Sequence, residues 1–301
     1  KAPSMPNSEA CQVNIANSIW FRDRDSLAIN EDFLKTSRNY YDASIFEAPF
    51  DAGTRDDINS WVKKETNGMI QKLLEEAPPR DAVMYLVNAL SFDGEWRDIY
   101  KKNQIHKGTF NAENGEHQSA EFMYSTEAVY LENTLGRGFL KPYGDGAYAF
   151  AAVLPDEGMT MKEFLERLKE NGITDLLEQT RNKTVCVRLP KFTVEYNVVL
   201  NESLTESGMK DAFDSQKADF SSMAHSDNDN IYISKVIHKT KIDVDEKGTK
   251  AGAVTAVEVS EGSAVQTEEP KEVFLDRPFF YMIIDTRQNF PLFMGCLMQL
   301  E

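Results

Sequence analysis

The chain has 301 residues, enough for one large domain or two ordinary ones. Its formal net charge of −16 argues against nucleic acid as a partner, because binding a phosphate backbone needs a clustered basic face. No apolar run approaches the ~20 residues of a membrane helix, so we expect no membrane partner either. Cys11, Cys186 and Cys296 are widely spaced and form no disulfide or zinc pattern, so we expect structural thiols.

Helical patterns are concentrated in the first two-thirds of the chain. The spacing predicts helices over residues 31–41, 56–70, 161–168 and 174–178. In the second of these, Ile58, Trp61 and Val62 fall at positions i, i+3 and i+4, on one helical face. The continuous apolar run 84–92 predicts instead a strand that is covered on both faces.

Strand patterns dominate after residue 184. Val185, Val187 and Leu189 alternate with polar neighbours, which predicts a strand with one buried face. Residues 236–244 alternate too, and the predicted buried face carries Val236, His238, Thr240, Ile242 and Val244. Two apolar runs, 279–284 and 292–298, predict a buried hairpin. Helices and strands follow no regular βαβ rhythm, so the predicted class is α+β.

The interval 248–277 has no strong core pattern and no helix signal. Structureless loops above ~12–15 residues are uncommon in compact domains and are usually functional or disordered. Its first part is small or β-branched, and no proline occurs before Pro270. Read as a strand, it has one face of small or apolar residues: Thr249, Ala251, Ala253, Thr255, Val257 and Val259. Its charges lie on the other face, so the interval could enter a sheet as a strand.

Residues 246–253, EKGTKAGA, closely resemble the hinge of the reactive loop in the serpin family. Further blocks resemble serpin motifs in the same order along the chain: residues 58–62 with Thr66 and Ile70, 86–96, 154–158, 189–192, 218–221, 234–239, 277–279 and 291–295. Eight such blocks in order make the resemblance specific, and they cover nearly the whole chain.

The resemblance implies the serpin fold, with a large central mixed β-sheet A, additional sheets, surrounding helices and an exposed reactive-centre loop. It implies one domain over 1–301, with the hinge and loop at 246–277. Serpins normally begin with several helices before the sheet A strand that resembles 12–21, so we expect those helices to be missing. Many serpins also carry a tryptophan where the loop enters the sheet; the corresponding position is expected near Arg137, so this tryptophan is expected to be absent.

The implied function is inhibition of a serine protease. The protease attacks the loop and forms an acyl-enzyme, and the cleaved hinge then inserts into sheet A and traps it. The hinge assigned by resemblance comprises Glu246, Lys247, Gly248, Thr249, Lys250, Ala251, Gly252, Ala253, Val254, Thr255 and Ala256. The resemblance also implies a polar shutter of Asn88 and His238, and a salt bridge between Lys191 and Glu246 at the top of the sheet.

The cleaved bond is bracketed by two counts, forward from Gly248 and backward from Pro278. The bracket contains Gly262, Ser263, Ala264, Val265, Gln266 and Thr267. No Lys, Arg or aromatic residue lies between Lys250 and Lys271, which argues against trypsin-like and chymotrypsin-like targets. Small aliphatic residues favour an elastase-like protease or a permissive subtilisin-like one.

The alternative function is that of a non-inhibitory serpin: a carrier, storage protein or chaperone. Such members often have bulky, charged or proline-containing hinges, whereas the inner-face positions here are all small. An enzyme is not expected, because the chain has no Gly-x-Ser-x-Gly elbow, no His-Glu-x-x-His and no phosphate loop. No cofactor or metal is expected. From function alone we expect a secreted or cell-surface monomer with a metastable fold.

Overall fold

The computed structural model describes residues 10–23, 27–79, 81–178, 180–226, 230–249 and 270–300. The strands are β1 Cys11–Arg22, β2 Ala28–Ile29, β3 Ala43–Ala48, β4 Met84–Glu95, β5 Ile105–Asn111, β6 His117–Asn133, β7 Gly136–Pro142, β8 Tyr148–Pro155, β9 Thr180–Pro190, β10 Phe192–Val199, β11 Ala224–His225, β12 Lys235–Val244, β13 Gly248–Thr249, β14 Lys271–Phe274, β15 Phe279–Asp285 and β16 Phe290–Leu297. The helices are α1 Glu31–Tyr41, α2 Ala52–Glu65, α3 Met161–Asn171, α4 Ile173–Glu178 and α5 Asn201–Glu206. The α+β class is confirmed.

A six-stranded mixed sheet has the strand order β10-β12-β13-β4-β1-β3. Over most of their length β12 and β4 are direct parallel neighbours, with residues 235–241 paired to 85–91. The two-residue strand β13 pairs antiparallel with both of them, at one end only. An eight-stranded sheet has the order β14-β9-β6-β7-β8-β15-β16, with β5 paired to β6.

Two compact units can be distinguished by their internal contacts. One contains Val13–Phe92 and Glu195–Ile242. Its core includes Trp20 of β1, Ile58 and Val62 of α2, and Ile237 of β12. None of the helices in the described part of the chain has the length and apolar character that a membrane span needs.

The other unit contains Asp93–Val194 and Asp243–Glu301 and holds the eight-stranded sheet. Phe164 and Leu168 of α3 pack against Phe280 and Met282 of β15. Every residue of β15 is buried, and β15 pairs antiparallel with β16, which confirms the predicted C-terminal hairpin.

The second helix lies about four residues earlier than predicted: it runs over Ala52–Glu65 rather than 56–70. At its start the Asp51 side chain accepts a hydrogen bond from the Thr54 amide at 3.0 Å, in a capping box. Its end is followed by Asn67 at φ 49° and Gly68 at φ 76°, left-handed conformations that cannot continue an α-helix. The other three predicted helices match α1, α3 and α4 closely, whereas α5 was not predicted.

Three expectations about strands need correction. The strand predicted at 84–92 extends to Glu95, and the strand predicted from 184 begins at Thr180. The interval 248–277 does contribute to the core, because Val273 and Leu275 are fully buried beside β9. In β12 both faces are covered: Ile237 and Lys239, on the face predicted to be open, are 2% and 7% exposed.

Candidate functional site

The predicted reactive-loop hinge begins in a tight turn that follows β12. The Asp245 carboxylate accepts hydrogen bonds from the amides of Lys247 at 2.7 Å and Gly248 at 3.1 Å. The Asp245 amide in turn donates to the Gly248 carbonyl at 2.9 Å. The chain thereby reverses direction, so that β13 runs antiparallel beside Val244 of β12. The first hinge residues are therefore already strand.

Gly248 and Thr249 are held closely by their neighbours. A Cβ on Gly248 would lie 2.0 Å from the carbonyl oxygen of Gly94, so no side chain fits there. Thr249 is fully buried, and its hydroxyl lies 2.5 Å from that of Tyr143. Burial raises the pKa of Tyr143 well above its usual value, so this phenol remains neutral.

Trp96 lies directly beneath this turn, and the expectation that no tryptophan occupies this position is wrong. Its indole nitrogen donates to the Asp245 carbonyl at 2.9 Å, and its amide donates to the Lys247 carbonyl at 2.8 Å. Its ring stacks on Tyr143 at 4.4 Å between centroids. Arg137, the position expected to correspond, lies instead within β7 opposite Glu132. The signal was Trp96 itself, four residues after the apolar run 84–92.

The predicted salt bridge is present in the structure. Lys191 Nζ lies 2.8 Å from Glu246 Oε2 and 3.0 Å from Glu121 Oε2. The Lys191 hydrogen bond lowers the pKa of Glu246. Burial works against the charge of Lys191, but hydrogen bonds to both carboxylates raise its pKa. All three side chains are partly exposed, so each pair is worth about 0–1 kcal/mol.

The other predicted loop residues lie outside the described part of the chain. These are Lys250 to Ala256 of the hinge and Gly262 to Thr267 of the cleavage bracket. Of the predicted hinge, the structure places Glu246, Lys247, Gly248 and Thr249.

Asn88 and His238, the predicted shutter, lie opposite each other on β4 and β12. His238 Nδ1 is 2.7 Å from Asn88 Oδ1, and this oxygen can only accept, so Nδ1 carries the proton. The Asn88 amide donates to Asn17 Oδ1 of β1 at 2.7 Å. A polar chain thus crosses three strands. Asn17 was not predicted, because its place beside Asn88 depends on the strand order.

His238 is half-buried, and burial lowers its pKa below the ordinary value of 6.5. The neutral ring also fits the geometry, because a proton on Nδ1 alone satisfies Asn88. The neutral form is therefore the one that the fold favours.

Comparisons with known proteins define the family. The model described as "Serpin (serine protease inhibitor)" matches residues 3–300. An uncharacterized serpin-like protein of Methanosarcina mazei is 31% identical over 291 residues, which cover 94% of this chain and 66% of that protein. The chain belongs to the serpin family. It spans about two-thirds of the length of this relative.

Solved structures agree with this assignment. The crystal structure of the thermophilic serpin tengpin in its native state matches with a TM-score of 0.91 and 45% identity, over 99% of this chain and 76% of that one. Tengpin in its latent state matches with a TM-score of 0.83 and 43% identity, over 99% and 78%. The fold is thus the serpin fold, in an arrangement more similar to the native state of tengpin than to its latent state.

The lowered pKa of His238 predicts a pH dependence of stability. Well above pH 6.5 His238 is neutral in both the folded and the unfolded state and adds no pH dependence. Below it the unfolded chain binds a proton that the folded chain resists, so stability falls as the pH falls, by at most about 1.4 kcal/mol per pH unit. We expect H238Q to reduce this slope in urea unfolding between pH 7.5 and 5.5.

The matched control is H117Q. His117 is exposed, and its Nδ1 lies 2.8 Å from Oδ1 of Asn111 on the neighbouring strand β5. We expect this variant to keep the wild-type slope. An H238Q slope equal to that of H117Q would contradict the prediction.

Proposed function

We propose that this serpin inhibits a serine protease by inserting its cleaved reactive loop between β12 and β4. The observation that carries the proposal is the place of β13. This two-residue strand already lies between β12 and β4 and is antiparallel to both, while beyond it the two strands pair directly with each other. The site therefore resembles a partly inserted strand, with only its first two residues paired in the sheet.

The register of β13 sets where an inserted loop would lie. Gly248 is opposite Glu95, and Thr249 is opposite Gly94. In this antiparallel register, each following loop residue would pair with the preceding residue of β4. Val259 would therefore come opposite Met84, the first residue of that strand. The inserted loop would therefore be paired along the whole of β4 by Val259, three residues before the cleavage bracket Gly262–Thr267 begins.

The loop's residue types fit this register. Lys250 would come opposite Asp93, a cross-strand pair of opposite charge worth about 0.2–1 kcal/mol. In the middle of β4, Val87 and Ala89 belong to the core beneath α2, so that face is covered too. Gly252, Val254 and Ala256 would lie on it, and they are small or compact enough to enter.

The free-energy balance favours insertion. The parallel pairing of residues 235–241 with 85–91 would be lost, together with the bond between His238 and Asn88. An inserted strand replaces one parallel ladder by two antiparallel ones, and antiparallel pairing is slightly more stable per residue. Each added hydrogen bond contributes about 0.5–1.5 kcal/mol net. Cleavage frees one end of the loop, so that the loop can insert and form these hydrogen bonds.

The proposed target is an elastase-like protease, with a subtilisin-like one as the second choice. The proposed bond lies between Gly262 and Thr267, where Ala264 and Val265 suit a shallow primary pocket. Such a target acts outside the cell, so we propose an extracellular or cell-surface protein that works as a monomer.

Mixing the protein with neutrophil elastase tests the proposal. We expect a band at the summed mass that survives denaturing electrophoresis, because the acyl bond to the protease is covalent. Sequencing the released peptide is expected to place the cut within 262–267. If both elastase and subtilisin cut the loop and remain active, inhibition of this protease class is refuted. An unchanged melting temperature after cleavage would then support a carrier, storage or chaperone role.

Thr249 offers a sharper test of insertion. We expect T249R to be cut normally but to form at least tenfold less covalent complex. A charged side chain cannot occupy the buried place of Thr249 beside Tyr143, from which the proposed insertion continues. The measurement is the ratio of complex to cleaved inhibitor on the same gel.

K247A is the matched control, because Lys247 lies two residues away and is exposed. We expect it to keep the wild-type ratio. Equal complex formation by T249R and K247A would show that the buried hinge position does not govern trapping.

A further inference from the structure

A buried ion pair lies within the unit that holds the hinge turn. Lys141 of β7 and Glu127 of β6 approach to 2.8 Å between Nζ and Oε1, with side chains only 2% and 8% exposed. The same carboxylate oxygen accepts a hydrogen bond from the Ser125 hydroxyl at 2.6 Å. A buried pair of charges is a weak source of stability, because desolvation offsets much of the attraction. The presence of this pair in the core therefore calls for another explanation.

Two aromatic rings lie against the Lys141 ammonium group. Its Nζ is 4.4 Å from the centroid of Tyr100 and 5.4 Å from that of Trp96, within cation–π range. The Tyr100 hydroxyl also lies 3.2 Å from the Ser125 hydroxyl, which binds Glu127. Each partner of the ion pair is thus connected to Tyr100, and Lys141 also contacts Trp96.

The same two residues hold the hinge turn through their backbone. The Tyr100 amide donates to the Glu246 carbonyl at 2.9 Å, and the Trp96 amide donates to the Lys247 carbonyl at 2.8 Å. The contacts therefore continue from the buried ion pair, through two rings, to the residues from which the reactive loop starts.

We propose that the Lys141–Glu127 pair positions Trp96 and Tyr100 against the hinge turn, and thereby fixes the point from which the loop inserts. Lys141 and Glu127 act as positioning residues, since neither touches the loop itself. This role depends on each charge of the pair being neutralised by the other. A lone ammonium or carboxylate at this depth draws in water or neighbouring polar groups, and the rings and the turn then shift. The link to insertion rests on the proposed inhibitory function, whereas the link to the turn does not.

Hydrogen exchange, followed by mass spectrometry on peptides that contain residues 96–100, tests the positioning step without any protease. We expect E127Q and K141M each to speed exchange of the Trp96 and Tyr100 amides by about tenfold or more. In the double variant E127Q/K141M no charge is left unpaired, and Gln still accepts from Ser125. We therefore expect its exchange to return to within about threefold of the wild type.

D285N is the matched control, because it breaks another ion pair of the same unit, Asp285–Arg287, whose carboxylate lies on β15 rather than on β6 or β7. We expect no change in exchange at 96–100. If the single variants exchange like D285N, or if the double variant exchanges as fast as the two single effects combined, the positioning role is refuted. E127Q keeps the shape of the side chain, so it serves as the main variant should K141M fold poorly.

The number of inhibitor molecules consumed per protease trapped tests the consequence for insertion. We expect E127Q to raise this number at least threefold, and the double variant and D285N to leave it near the wild-type value. An unchanged number in E127Q with faster exchange would overturn the link to insertion. If the wild type traps no protease, the proposed function fails, and the exchange experiment still decides whether the pair positions the turn.

Discussion

Direct parallel pairing of β12 with β4 is the constraint on which the rest of the molecule depends. It closes the sheet where another strand could lie, and it leaves β13 only two residues of antiparallel pairing at one end. A parallel ladder is slightly weaker per residue than the two antiparallel ladders that could replace it. The observed arrangement therefore has the less favourable pairing, and in the proposed mechanism the difference in free energy would drive insertion of the loop.

Such an arrangement needs a fixed starting point for the loop. The turn at Asp245–Lys247 meets this need with backbone hydrogen bonds from Trp96 and Tyr100 and with the outer contact between Lys191 and Glu246. Because the turn is held and Gly248 and Thr249 already pair with β4, the proposed insertion would continue from the end of β13. Close approach of Gly94 admits only glycine at the first of these, and burial beside Tyr143 admits only a small side chain at the second.

Periodicity predicted most of the helices and strands. The family motifs predicted two contacts between side chains, because each side chain stands in a recognisable motif. Asn88, His238, Lys191 and Glu246 were found because each stands in a recognisable block. The start of α2 at Ala52 was missed because it depends on the cap at Asp51 rather than on an apolar pattern. The loop-entry tryptophan was expected near Arg137 rather than at Trp96, because the strand that carries Trp96 to the turn extends three residues beyond the predicted apolar run.

The pair of Lys141 and Glu127 shows why such features escape prediction. They lie on adjacent strands of one hairpin, and the pairing of β6 with its other neighbour, β9, is irregular between Glu127 and Val129. In the sequence, Lys141 follows two apolar residues and Glu127 lies in a stretch of mixed polar and apolar residues. Both patterns are typical of surface positions. Only the burial of β7 on one side and of Trp96 and Tyr100 on the other makes them a charged group inside the core.

Two ion pairs lie near one turn. Lys191 with Glu246 is partly exposed and screened by salt, whereas Lys141 with Glu127 is shielded from salt. Since only the first pair contacts the turn from solvent, ionic strength can weaken the outer contact while the aromatic contacts beneath it remain.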